Sequence, residues 1–315
     1  MRKFVNPMTD IGFKMLFGRE NRSEEFLIDF INSIFEKEED FSPIVKIRFL
    51  NPEGRPHYPG MHHVRFDLYC ETSDDKRIIV EMQQVGQEFF MRRALYYVSL
   101  AISQQSFLEE ENKGKPWEYE FMPVYGIFLC DFKLKELPEL PVSYIRLCDM
   151  NTGKPVTNLM SLTFVQFPCF KKDKNECDSN EDMWFYILKN MENLRTMPFE
   201  EIKNGIFTRF GELAKIDKMT PQERYEYESA QRFIWDYNAR MATAERRGME
   251  KGMTKGMEKG MEKGMEQGMA KGMAKGIEKE KWEVARKMLE KGLDLEVISS
   301  VTNLAVSDIE KIKLK

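Results

Sequence analysis

The chain has 315 residues, a formal net charge of −4 and 32% charged residues, a length that holds one core of about 150–200 residues with appendages. Mild acidity argues against coating nucleic acid through global charge but leaves room for a local basic patch, and without a run of about 18 apolar residues no transmembrane helix is expected. The start, Met1-Arg2-Lys3-Phe4-Val5-Asn6-Pro7, lacks a signal-peptide core, and five scattered cysteines (Cys70, Cys130, Cys148, Cys169, Cys177) without zinc or Cys-x-x-Cys spacing fit a reducing cytoplasm.

Residues 23–36 carry the first strong helical pattern, with Phe26, Leu27, Phe30, Ile31, Ile34 and Phe35 at helical spacing. Residues 44–50 read as a strand, followed by a Pro/Gly loop at 51–60. The three histidines, His57, His62 and His63, lie in or beside that loop. His62-His63 precede a strand and can approach a site on it, but without acidic partners at ligand spacing they read as loop residues.

The next stretch alternates. Val64, Phe66, Leu68 and Cys70 point one way, and Arg65, Asp67, Tyr69 and Glu71 the other. After the turn-formers Thr72, Ser73, Asp74 and Asp75, a second run sets Ile78, Val80 and Met82 against Ile79, Glu81 and Gln83. Period-2 alternation reads as two half-buried strands of a hairpin. Folding symmetrically about Asp74 pairs 69 with 79 and 67 with 81, and sets Asp67 and Glu81 face to face with β-carbons about 5 Å apart. Like charges so placed repel. A divalent cation between them is one reason to keep both; the other reading is two solvent-facing acids neutralised by Arg65. A one-residue slip in register would send every side chain to the opposite face.

A helix over 87–110 follows, carrying Arg92, Arg93, Tyr96 and Tyr97, of which Arg93 and Tyr97 share a face. Residues 120–130 form a strongly apolar strand, and 142–147 and 162–167 extend the sheet. The polar loop at 171–180 reads as a boundary, with helical patterning from 182 onward. Thr220-Pro221-Gln222-Glu223 is a capping box with Pro at the first helical position; its helix carries Tyr225, Phe233, Ile234 and Trp235.

Glycines then recur every fourth residue from Gly248 to Gly276, each followed by Met except the last, where Ile277 closes the series, and mostly by Lys at the fourth position. Four residues advance a helix by about 400°, so each row spirals by about 40° per step. Each interior Gly costs about 1 kcal/mol against Ala, and Glu258, Glu262 and Glu266 repel at i,i+4. The repeat is either a low-complexity spacer or a helix that oligomerises through Gly and adaptable Met. Residues 281–289 form an amphipathic helix stopped by Gly292. Residues 293–309 look like a helix-turn-helix with Ser307 capping its second helix. That helix offers few Arg or Asn, which favours packing or tethering over base reading.

Five pieces, in order, resemble the Rpn family of recombination-promoting nucleases and transposases, within the PD-(D/E)XK superfamily in its E-x-Q variant. They are the opening Asn6-Pro7-Met8-Thr9-Asp10-Ile11-Gly12-Phe13-Lys14-Met15-Leu16-Phe17-Gly18; the hairpin with Asp67 and Glu81-Met82-Gln83; the helix start Glu88-Phe89-Phe90-Met91-Arg92-Arg93-Ala94-Leu95-Tyr96-Tyr97; the strand Pro123-Val124-Tyr125-Gly126-Ile127-Phe128-Leu129; and the Gly-Met-x-Lys repeat. The first four cover roughly residues 6–170.

The resemblance implies a restriction-endonuclease-like α/β core, with a mixed central sheet flanked by helices, and an all-helical C-terminal extension. The expected division is a nuclease-like domain at 1–180, a helical region at 181–247, the repeat at 248–279 and a small helix-turn-helix-like tail at 280–315. It further implies metal-assisted phosphodiester hydrolysis with Mg²⁺, or Mn²⁺ in its place, held by Asp67, Glu81 and the Met82 carbonyl. Gln83 stands where the superfamily usually has Lys: it can orient water but brings no charge. Glu24 or Glu25 is the expected accessory carboxylate. Asp10 and Lys14 match the opening motif as further accessory candidates, Asp10 being equally placed to cap a helix. Arg92, Arg93 and Tyr97 are candidates for DNA phosphate contact. The function so implied is a cytoplasmic, Mg²⁺-dependent DNA endonuclease of mobile-element type. It would cut with low sequence specificity, promote recombination, form homo-oligomers through its helical region and have no membrane partner. The alternative is a degenerate nuclease core acting as a DNA-binding or oligomeric interaction module.

Overall fold

Thr9 begins the first helix. Its hydroxyl accepts the Gly12 N–H at 3.2 Å, so Thr9, and not Asp10, is the N-cap of α1 (Asp10–Phe17), which buries Phe13, Leu16 and Phe17. The computed structural model describes residues 3–38, 41–54, 64–107 and 119–313. The three histidines and the last turn expected of the helix at 87–110 lie outside the described residues. The second helix, α2 (Glu24–Phe35), buries the six apolar residues that its spacing aligns.

Short strands follow: β1 (Ile47–Phe49), the pair β2 (Glu53–Gly54) and β3 (Val64–Arg65), then β4 (Leu68–Thr72) and β5 (Arg77–Gln83). β4 and β5 form the expected hairpin, with Tyr69 opposite Ile79 and Leu68 opposite Val80. The first expected strand is interrupted, however. Val64-Arg65 pair with β2, and the chain bends at Asp67 before β4 begins. Val64 and Phe66 therefore pack with Tyr69 and Ile79 on one face, while Leu68 and Cys70 join Ile78, Val80 and Met82 on the other. The hairpin is not half-buried either. Tyr69 and Ile79 are as inaccessible as Leu68 and Val80, because helices cover both faces.

On one face lies α3 (Phe90–Gln104), which crosses over to β6 (Val124–Cys130); β7 (Val142–Arg146) and β8 (Met160–Gln166) complete a sheet ordered β1-β4-β5-β6-β8-β7. β5, β6 and β8 run parallel and the other pairings are antiparallel, which is the expected mixed sheet. The opposite face packs α1, α2, α4 (Asn180–Asn190) and α5 (Ile206–Leu213). There Trp184 is fully buried between Phe17, Phe207 and Phe210, and its indole N–H donates to Asp29 at 2.8 Å. The polar loop at 171–180 thus lies inside a compact unit spanning Met1–Gln231 and is not its edge at 180. That unit closes with the start of α6 (Pro221–Glu290), whose capping box forms as the sequence implies: the Glu223 N–H donates to Thr220 Oγ and the Thr220 N–H to the Glu223 carboxylate.

The second unit, Arg232–Lys315, carries the rest of α6, α7 (Leu295–Thr302) and α8 (Val306–Lys313). The Gly-Met repeat is helical throughout. Between its glycines stand good helix formers, and the steps Lys255–Glu258, Lys259–Glu262 and Lys263–Glu266 set opposite charges three apart, which offsets part of the glycine cost. No side chain or backbone approaches where a Cβ would stand on any glycine from Gly248 to Gly276, and Met249 to Met273 of the repeat are all exposed. The 281–289 segment continues the same helix, which stops at Gly292 with φ +78°; the Leu293 N–H reaches back to Met288 O at 3.2 Å. Ala285, Ile298 and Ile309 then form a small core. Ala305, whose carbonyl accepts the Ile309 N–H, precedes α8. Ser307 lies inside α8 and does not cap it.

The opening motif has a steric reason. A Cβ on Gly12 would lie 1.9 Å from the Asn6 carbonyl oxygen, the same oxygen that accepts the Thr9 hydroxyl. Gly12→Ala is expected to destabilise the first unit by about 2 kcal/mol or more, as read by urea unfolding followed through tryptophan fluorescence.

Candidate active site

The site forms where the chain bends at Asp67. Continued by one residue, the β4–β5 register brings Asp67 to Glu81, and the two grip each other through the backbone. The Asp67 N–H donates to Glu81 Oε1 at 2.9 Å, and the Met82 N–H donates to Asp67 Oδ2 at 2.8 Å. Glu81 is buried, at 5% exposure, and the Asp67 side chain is largely so, at 11%. The sheet delivers them at the carboxyl end of β5, beside the carboxyl end of its parallel neighbour β6.

Helix α1 supplies the next two groups. With Phe13, Leu16 and Phe17 turned into the core, Asp10 and Lys14 share the other face, four residues apart. Lys14 Nζ lies 2.8 Å from Asp67 Oδ1 and 2.5 Å from Asp10 Oδ1. The Asp10 carboxyl also lies within hydrogen-bond reach of Asp67. Glu24 and Glu25 are engaged elsewhere: Glu24 accepts the Asn21 N–H, and Glu25 pairs with Arg209 at 2.7 Å. Neither meets Asp67 or Glu81 through any contact among the described residues.

Helix α3 lines the other side. Arg93 donates to Gln83 Oε1 at 2.5 Å and to Gln87 Oε1 at 2.6 Å, with its guanidinium over the rings of Phe90 and Tyr97. Gln83 also donates to the Val85 carbonyl at 2.9 Å, so both ends of its amide are held. Tyr97 is half-buried, edge-on to Phe66. Arg92 is exposed and lies over the Phe89 ring. Sequence reading named Asp10, Lys14 and Arg93 without the arrangement that joins them. The available signal was the i,i+4 spacing of Asp10 and Lys14 opposite an apolar helix face.

The electrostatics follow from burial. Loss of solvent pushes the Glu81 carboxyl well above the ordinary carboxylate range, the charge of Asp67 pushes it further, and the Asp67 N–H, Arg93 and Lys14 pull only partly back. Asp67 is raised by burial and by Asp10 against the pull of Lys14. Burial also acts to raise Asp10, but its hydrogen bonds to Asp67 and Lys14 prevail and its pKa falls. For Lys14, burial acts to lower the pKa, and the charges of Asp67 and Asp10 with their hydrogen bonds prevail and raise it.

Two crowded carboxylates with hard oxygens and too little cationic charge suit a Mg²⁺-like ion that keeps water or phosphate ligands. Among the described residues no group of three His, Cys, Asp or Glu side chains stands at metal-binding spacing.

Residues 7–244 match the family model described as PD-(D/E)XK nuclease family transposase. Residues 278–314 match that of the Rpn/YhgA-like nuclease family, C-terminal HTH domain. No curated protein and no solved structure matches the chain.

The raised carboxyls bind protons more tightly folded than unfolded. Their contribution to stability is complete below the ordinary carboxylate range and is lost as pH rises through their elevated folded values. In chelator, Glu81→Gln is therefore expected to be more stable than wild type by about 1–2 kcal/mol at about pH 8 and equal to it at about pH 4. Thermal unfolding at the two pH values checks this.

Proposed function

The chain belongs to the PD-(D/E)XK nuclease family of transposases and ends in an Rpn-type helix-turn-helix domain, and from that premise we propose that it is a Mg²⁺-dependent DNA endonuclease. The observation that carries the reading is the buried pair Asp67 and Glu81, each anchored by a backbone N–H to one oxygen and lacking a full counter-charge. In this reading Asp67, Glu81 and the Met82 carbonyl hold Mg²⁺, with Mn²⁺ able to substitute. The chemistry the ion supplies when bound is activation of water and neutralisation of charge on the scissile phosphate. The backbone N–H groups of Asp67 and Met82 fix the two carboxylates in place. Gln83 holds Arg93, whose guanidinium, stiffened by Phe90 and Tyr97, is the group proposed to meet a DNA phosphate at the carboxyl end of β5. Exposed Arg92 extends the same positive surface.

Cleavage with little sequence preference is the favoured form. The exposed side of α8 presents Ser307, Glu310 and Lys311, with Lys311 paired to Asp308, and offers no Arg or Asn for base edges. The helix-turn-helix is accordingly proposed to tether the protein to DNA. Recombination is the proposed consequence of such cleavage, in keeping with the transposase family. No helix among the described residues is long and apolar enough to cross a membrane, and the cysteines are unpaired, which fits the proposed cytoplasmic location. Self-association belongs to the same proposal: the uncovered Met row of α6 is the surface a second copy would bury.

A second reading, a non-catalytic DNA-binding protein on the same core, draws on one observation: each end of the Gln83 amide is already engaged once, which leaves it one N–H and one lone pair for a water. Cleavage of supercoiled plasmid separates the two. The expected result is nicking or linearisation by wild type with Mg²⁺, abolished by chelator and reduced at least about 100-fold in Asp67→Ala and Glu81→Ala. Absence of cleavage by wild type, alongside retained DNA binding, establishes the second reading.

A further inference from the structure

Gln83 brings no charge to the site, and its amide is committed to Val85 and Arg93. Arg93 is committed in turn, to Gln83, Gln87 and the two aromatic rings beneath it. The cation that touches the carboxylates comes from another element: Lys14 of α1, between Asp10 and Asp67. Resting on the nuclease reading of this site, we propose that Lys14 supplies the positive charge that position 83 lacks. In the metal-free protein it serves as the counter-ion of Asp67, and Asp10 is the tether that keeps it in place.

Three observations support this. First, the base of the lysine is fixed. Thr9 caps α1, Gly12 lies against the Asn6 carbonyl, Phe13, Leu16 and Phe17 are buried, and the Asn6 N–H is held by the Tyr227 hydroxyl at 2.9 Å. A flexible side chain on a helix so constrained reaches a small volume, and that volume contains Asp67.

Second, Lys14 is the cation that can give way. Its recorded polar partners are Asp10 and Asp67, whereas Arg93 would have to leave two amides and two rings. An ammonium 2.8 Å from Asp67 Oδ1 competes with any divalent ion for that oxygen, since close like charges repel strongly where water is scarce. Metal entry must release Lys14 from Asp67.

Third, Asp10 is suited to hold what is released. It is 61% exposed, shares a helix face with Lys14, and belongs to no group of three potential ligands among the described residues. With Asp67 given over to an ion, the i,i+4 pair with Asp10 keeps the ammonium at the edge of the site, where the charge of a bound phosphate builds up. A purely structural ion pair predicts something different. Its removal would loosen α1 and weaken every function of the site together.

The test uses the full chain with Lys14→Met, Lys14→Gln and Asp10→Asn, and Mn²⁺ as the probe. Mn²⁺ affinity is measured by electron paramagnetic resonance without DNA, and plasmid cleavage at saturating Mn²⁺. The expected result for both Lys14 variants is cleavage reduced about 100-fold together with Mn²⁺ bound about tenfold more tightly, because the competing ammonium is gone. Asp10→Asn should lose less activity than either. The Gln variant keeps a hydrogen-bond donor between Asp10 and Asp67, so it decides the matter if the Met variant does not fold. A folded Lys14 variant that cleaves at the wild-type rate overturns the proposal, as does Mn²⁺ affinity that is unchanged or falls in step with cleavage. In either case the nuclease reading stands on wild-type activity. Wild type that neither binds Mn²⁺ nor cleaves overturns both.

Discussion

The structure turns on one constraint, the burial of two carboxylates side by side at the end of a hairpin. A buried acid without a partner is costly, and here each of the two finds one by binding the backbone of the other's strand. The Asp67 N–H to Glu81 and the Met82 N–H to Asp67 act as a final rung on the β4–β5 ladder. The same two bonds that define the candidate site therefore also hold the bend that ends β3 and starts β4. What they leave uncompensated is charge, and Lys14 and Arg93 bring cations to the site from opposite sides of the sheet.

Those cations are delivered by the packing of the rest of the molecule. α1 docks through Phe13, Leu16 and Phe17 into the aromatic cluster around Trp184, so α4 and α5, remote in sequence from the hairpin, help determine where Lys14 stands. α3 docks through Phe90, Ala94 and Val98 onto β6 and β8 and aims Arg93 at Gln83. This division of labour accounts for a compact unit that runs on to Gln231: cut at 180, the sheet would lose Trp184 and the face on which α1 rests. It is a scaffold in which the groups that do chemistry are few and the groups that position them are many.

The C-terminal unit follows a different logic. Its one small core joins the end of α6 to α7 and α8, and the long stretch before it exposes its methionines and leaves open space around its glycines. Propensity and Lys-to-Glu spacing, both local properties, account for its helicity. A row that drifts by about 40° per step cannot form a straight seam along the helix.

Local patterns were sufficient for most element types, the hairpin register, the Thr220 capping box and the pairing of Asp67 with Glu81, because alternation, turn symmetry and caps act over a few residues; they left the Gly-Met repeat open between spacer and helix. They were insufficient where the answer depended on what covers an element. The bend at Asp67, which moves Val64 and Phe66 to the opposite face, is invisible in an alternation that continues through it. Half-burial of the hairpin was the wrong inference because a solvated face and a face covered by α3 carry the same apolar period. Ser307 and Asp10 were natural caps by residue type, yet the helices begin after Ala305 and Thr9. The choice among acids shows the limit most clearly. Glu25 and Asp10 each sit in the first turn of an early helix, and only the docking angles of α1 and α2 send one to Arg209 and the other to Lys14 beside the carboxylate pair. The sequence by itself determined that two acids would meet across a hairpin; the tertiary structure decided which cation would meet them, because helix docking is set by apolar faces that come together from the whole length of the first unit.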